Sequence, residues 1–88
     1  MKLNENFILN KLADNWVLVP YGQHAVDFQG VVTLNETAKF LFENAINGIE
    51  IDELKRALVN EYSISDDVAE NAVKHWILEM REAGCIVD

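Results

Sequence analysis

The chain has 88 residues and a formal net charge of −8, from 7 basic and 15 acidic side chains. That balance disfavours nucleic acid, whose phosphates need clustered Lys and Arg, and here only Lys55 and Arg56 stand side by side. Half of the residues are hydrophobic and one is proline, which excludes a disordered tail and predicts one folded domain over residues 1–88 with a modest core.

The first third reads as β. Phe7-Ile8-Leu9 with Leu12 makes a short apolar segment, and Trp16-Val17-Leu18-Val19 makes a second, ended by Pro20-Tyr21-Gly22. Proline lacks an amide donor, so it suits a strand end and not a strand interior. His24 to Phe28 makes a third segment, Gln29-Gly30 can turn the chain, and Val31-Val32-Thr33-Leu34 follows. The pattern predicts three to four short antiparallel strands joined by tight turns.

The remainder reads as helix. Asn35 is a strong N-cap, because its side-chain oxygen can accept an orphan amide of the first turn. A first helix is predicted over 36–46, with Ala38, Leu41, Phe42, Ala45 and Ile46 at helical spacing, ended by Asn47-Gly48. A second is predicted over 51–62, with Ile51, Leu54, Leu58 and Tyr62 inward. A third is predicted over 66–83, capped by Ser65, with Asp66 and Asp67 at the positive end of its dipole. Gly84 ends it, and Cys85-Ile86-Val87 can add a short extended tail. Strands first and three helices after predict an α+β fold of winged helix-turn-helix type.

The groups an enzyme would need are missing. His24 and His75 lie far apart and form no metal-spaced pair. Cys85 has no nearby His and reads as a small apolar core residue. No glycine-rich phosphate loop occurs. The pairs Asp52-Glu53 and Asp66-Asp67 sit at helix starts, where the dipole explains them without catalysis. No catalytic residue, metal ligand or cofactor is expected. One cysteine excludes an internal disulfide. Residues 1–20 lack a signal-peptide pattern, and no apolar run nears the roughly 20 residues that span a bilayer. The expectation is a cytoplasmic protein with no membrane partner.

Successive helical residues turn by about 100°. On the wheel of the third helix Ala69, Val73, Trp76 and Met80 share one face, flanked by Ala72, Ile77 and Ala83, and this is the expected core stripe. Leu78 falls roughly opposite its centre. Val68, Asn71 and His75 occupy the border between the two. Leu78 then reads either as one exposed apolar residue, which is common, or as part of a partner groove along that border. His75 has no visible partner, and a lone His on such a border is ordinarily half exposed. Val31 to Leu34 holds no charge, proline or lysine, so as an edge strand it could accept an extended peptide by strand addition. The plainer reading makes it an internal or covered strand.

The residues resemble the PqqD-like proteins, also called RiPP recognition elements. The marks are Trp16-Val17-Leu18-Val19-Pro20, Val26-Asp27-Phe28 and Gly30-Val31-Val32. The strongest is Leu34-Asn35-Glu36-Thr37-Ala38 before an aromatic helix, followed by Leu54 to Leu58, Glu61-Tyr62 and Glu82-Ala83-Gly84-Cys85-Ile86. The resemblance covers nearly the whole chain. It implies a non-catalytic winged-helix-like adaptor that binds the leader segment of a ribosomally made precursor peptide. The leader would add as a strand beside the last strand of the sheet and pack on the third helix. The adaptor presents it to a modifying enzyme, often a radical SAM protein. Carried onto this chain, the peptide-binding residues would be Val31, Val32, Thr33 and Leu34 on one side and Val68, Asn71, Ala72, His75 and Leu78 on the other. Two positions depart from the family pattern: Ala72 stands where many members have Asp, and Glu50 where Thr often caps the second helix.

The alternative from another class is a winged-helix interaction or regulatory module. Such a module would be monomeric or homodimeric, a homodimer using the same edge strand. A DNA reader would turn basic and amide groups of its recognition helix toward the bases. The third helix instead holds Asp66, Asp67, Glu70, Glu79 and Glu82 against Lys74 and Arg81.

Overall fold

The computed structural model describes residues 1–22 and 31–88. In chain order these form β1 (Lys2–Leu3), β2 (Phe7–Leu12), β3 (Asn15–Pro20), β4 (Val32–Leu34), α1 (Glu36–Asn44), α2 (Ile51–Tyr62), α3 (Asp66–Glu82) and β5 (Ile86–Val87). This is the expected α+β order, N-terminal strands followed by three helices. The predicted segment His24–Phe28 and the predicted turn at Gln29-Gly30 lie outside the described residues.

Among the described residues, β2, β3 and β4 form an antiparallel sheet in that order. The β2–β3 hairpin closes tightly, with Leu12 opposite Asn15 and only Ala13 and Asp14 between them. A two-residue hairpin loop favours positive φ, and Ala13 adopts φ 55° despite its Cβ. Pro20 ends β3, where its missing amide disturbs least. β3 is the middle strand, and Val17 and Leu18 on its opposite faces are both buried.

A second, two-stranded ribbon pairs β1 with β5, Lys2 opposite Val87 and Leu3 opposite Ile86. The extended tail at Ile86 agrees with expectation, whereas its partner β1 was not anticipated. Two apolar-polar positions are too few to show periodicity. The pairing is held from outside by Asn4, whose amide nitrogens donate to Gly84 O at 2.9 Å and to Cys85 O at 2.8 Å.

The helices follow their local signals. Asn35 Oδ1 accepts from the Ala38 amide at 2.8 Å, and Ser65 Oγ accepts from the Val68 amide at 3.3 Å. Glu50 precedes α2 with no side-chain capping bond. α1 ends at Asn44, two residues before the expected Ile46. The Ala45 amide bonds to Phe42 O at 3.1 Å, which tightens the last turn and leaves Ile46 63% exposed. α3 ends at Glu82 rather than Ala83, and Gly84 takes φ 82° just beyond it.

The core lies between sheet and helices. Leu18, Leu41, Leu54, Leu58 and Val73 are fully buried, and each such side chain contributes about 1.5–3 kcal/mol by leaving water. The α3 stripe read from the wheel is the observed one: Ala69, Val73, Trp76 and Met80 are buried. α2 packs on α3, and α1 touches β4 as well as α3. This last contact places the start of α1 between the sheet edge and the third helix.

Candidate functional site

β4 is short, and β3 is its one strand neighbour among the described residues. Trp16, Val17 and Leu18 of β3 face Leu34, Thr33 and Val32 across the ladder. Alternation along the strand then sorts the side chains. Leu34 is buried and Val32 is half-buried against the core, while Thr33 is exposed. Val31 precedes the strand and is 47% exposed. Only the backbone edge of Leu34 is therefore open to a partner, since its side chain belongs to the core.

A cleft of about 200 Å³ opens where β4 ends. Asn35, Thr37, Ala38 and Leu41 line it from the start of α1, and Ala72, His75, Trp76 and Glu79 line it from α3. Two of the expected residues, Ala72 and His75, are thus brought together here. Val68 and Leu78 stand exposed on α3 at 55% and 56%, and Asn71 is exposed as well. None of these three lines the cleft.

The lining residues of α1, with Trp76 and Glu79, were not foreseen as site residues. Ala38, Leu41 and Trp76 carry the periodicity of core residues, and that signal concealed their second face. Glu79 stands one turn after His75, and the two side chains pair across the helix surface. That spacing is the one signal that could have found Glu79. Trp76 is 5% exposed, and its indole N–H has no acceptor among the described residues. A buried donor left unpaired costs about 1–3 kcal/mol.

The cations of α1 and α3 are engaged in ion pairs. Lys39 Nζ lies 3.2 Å from Glu43 Oε1 and 4.4 Å from the centre of the Trp16 ring. Lys74 lies 3.7 Å from Glu70, and Arg81 lies 3.1 Å from Asp88. Burial pushes the Cys85 thiol up to about 11, so it is a neutral core group at ordinary pH. Among the described residues, no group of three His, Cys, Asp or Glu side chains is placed to hold a metal, and no helix is long and apolar enough to cross a membrane.

A larger cavity of about 530 Å³ lies elsewhere. Leu3, Phe7 and Ile8 line one side of it, and Phe42, Ala45 and Ile46 the other. Its walls are mostly apolar, with Lys2, Asn4, Glu5 and Asn47 also lining it, and it shares no residue with the β4 edge or the α1–α3 cleft.

Comparison with known proteins bears on the same elements. No curated protein is significantly similar in sequence. A solved structure of TbiB1 in complex with the TbiA(beta) leader peptide has the same fold, with a TM-score of 0.78 at 16% identity over 100% of both chains. The family model for coenzyme PQQ synthesis protein D matches residues 15–86, a span that runs from the start of β3 to β5 and takes in the β4 edge, all three helices and the cleft between α1 and α3. The chain belongs to the PqqD family.

Proposed function

We infer that this chain is a non-catalytic adaptor, one domain over its 88 residues, that binds the leader segment of a ribosomally made precursor peptide. The leader adds as a strand along the outer side of β4 and packs on α3, and the adaptor presents it to a modifying enzyme, a radical SAM protein being the expected partner. The observation that carries this reading is the cleft that begins where β4 ends, with Asn35 as its first lining residue and α3 as its far wall. Support also comes from the protein of like fold, which was solved with a leader peptide bound.

Magnitudes indicate what holds the peptide. β4 has three residues, so strand addition forms two to four backbone hydrogen bonds, worth about 1 kcal/mol each. Micromolar affinity needs about 8 kcal/mol. Apolar contact supplies the remainder, at roughly 25 cal/mol per Å², and Val31, Val68, Leu78 and the floor of the cleft are the surfaces that provide it. The net charge of −8 and the acidic face of α3 speak against DNA as the partner.

Titration of the labelled protein with the leader of a precursor encoded beside its gene tests the reading. Amide shifts are expected in residues 31–35 and 66–79, saturating with peptide. Shifts spread over α2, or no saturable change, would overturn it.

A further inference from the structure

The α1–α3 cleft combines an apolar floor with an acidic rim. Ala38, Leu41, Ala72 and Trp76 form the floor, and Glu79 stands at the edge. Lysine and arginine have this same division, an aliphatic stem and a charged head. We propose that the cleft is a specificity pocket for one lysine or arginine side chain of the bound peptide, its stem on the floor and its head at the Glu79 carboxylate. The proposal rests on the peptide-binding reading above and adds to it the chemistry of the residue selected.

Charge and size both favour this occupant. A space of about 200 Å³ admits one long side chain and little more. The cations of α1 and α3 are already engaged, Lys39 with Glu43, Lys74 with Glu70 and Arg81 with Asp88. Glu36, Asp67 and Glu82 have no ion-pair partner among the described residues. α1 and α3, the two helices that wall the cleft, thus carry unpaired acidic groups, and a net charge of −8 extends that negative field over the whole chain. An acidic side chain would be repelled there. A leucine would fill the floor and cover part of Glu79 without giving it a cation. The partner Glu79 now has is His75, whose side chain is 72% exposed and carries charge only when protonated. A lysine or arginine keeps its charge at every physiological pH and displaces the imidazole outward.

A displayed library of random sixteen-residue peptides, selected on the full chain and in parallel on Glu79→Lys, tests the proposal. Glu79 is mostly solvent-exposed, so the variant should keep its unfolding temperature. The wild-type chain should enrich Lys or Arg at a fixed spacing from apolar positions, and Glu79→Lys should enrich Asp or Glu there. Single peptides from the two sets should differ by about tenfold in affinity between the two proteins, and the difference should shrink at high salt. Glu79→Gln should weaken the basic peptides severalfold, a result that stands even if Glu79→Lys fails to fold. Enrichment of the same peptides by both chains, without charge preference, would overturn the lysine or arginine pocket while leaving peptide binding intact. Enrichment no better than on a bare support would overturn the peptide-binding reading, and the pocket with it.

Discussion

Asn35 and Ala38 are joined by a 2.8 Å hydrogen bond, side-chain oxygen to backbone amide, and both line the cleft that opens at the end of β4. One bond therefore ends the strand, starts the helix and sets the near wall of the candidate site. Replacing Asn35 by Ala should cost about 1 kcal/mol of stability, the usual worth of a cap. It should also weaken peptide binding by more than that loss of stability explains, because the start of α1 is freed to fray. Denaturant unfolding and peptide titration of the same variant measure the two effects. Equal affinity in a destabilised Asn35→Ala protein would separate the cap from the site.

The two proline variants of β4 make a matched pair. Along an antiparallel strand, successive amides point alternately to the two sides. Of Val32→Pro and Thr33→Pro, one removes an amide bonded to β3 and the other removes an amide on the outer edge. The first should lower the unfolding temperature. The second should fold nearly as well as wild type and lose most peptide affinity. If both fold and both bind normally, strand addition on β4 is wrong.

Ala13 is strained where it stands. It holds φ 55° in a two-residue hairpin loop, a conformation that glycine adopts without the Cβ clash. Ala13→Gly should raise stability by about 0.5–1 kcal/mol, read as a higher denaturation midpoint at unchanged slope. Peptide binding should not change, since Ala13 lies outside the cleft.

Cys85 makes stability depend on alkaline pH. Its thiol is 1% exposed, and burial pushes it up to about 11 from an ordinary value of 9.0. The unfolded chain therefore releases this proton first, between pH 9 and 11. Stability should be full below pH 9 and fall as pH rises through that window, levelling near 11 after a loss of roughly 2–3 kcal/mol. Tyr62 is raised as well, by burial first and then by Glu36 and Glu61, and adds a loss of the same sign. The Cys85 part is isolated by comparison with Cys85→Ala, whose stability should decline less over the same range. At pH 8 the native thiol should also react far more slowly with an alkylating reagent than in denaturant.

The helices were readable from local residues. Asn35 and Ser65 cap α1 and α3 as expected, and Ala69, Val73, Trp76 and Met80 are the buried stripe of α3. Caps and helical faces depend on residues within about four positions of each other, so the order of residues contains them. The acidic balance that disfavours DNA is a matter of composition and needs no structure. The order and spacing of the marks from Trp16 to Ile86, Leu34 to Ala38 the strongest among them, carry the resemblance to the family that residues 15–86 match.

Tertiary structure decided the rest. β1 finds β5 across nearly the whole chain, Leu3 beside Ile86, and two residues cannot announce a partner that distant. Leu34 is expected on the edge that takes the peptide strand; its backbone lies in β4, and the packing decides that its side chain belongs to the core. Thr37, Trp76 and Glu79 came to line one cleft when α1 came to rest against α3 beside the end of β4. The physical reason is one of range. Periodicity says which face of a helix is apolar, but a cleft is the gap left between two faces, and its width and chemistry come into being only when distant segments pack.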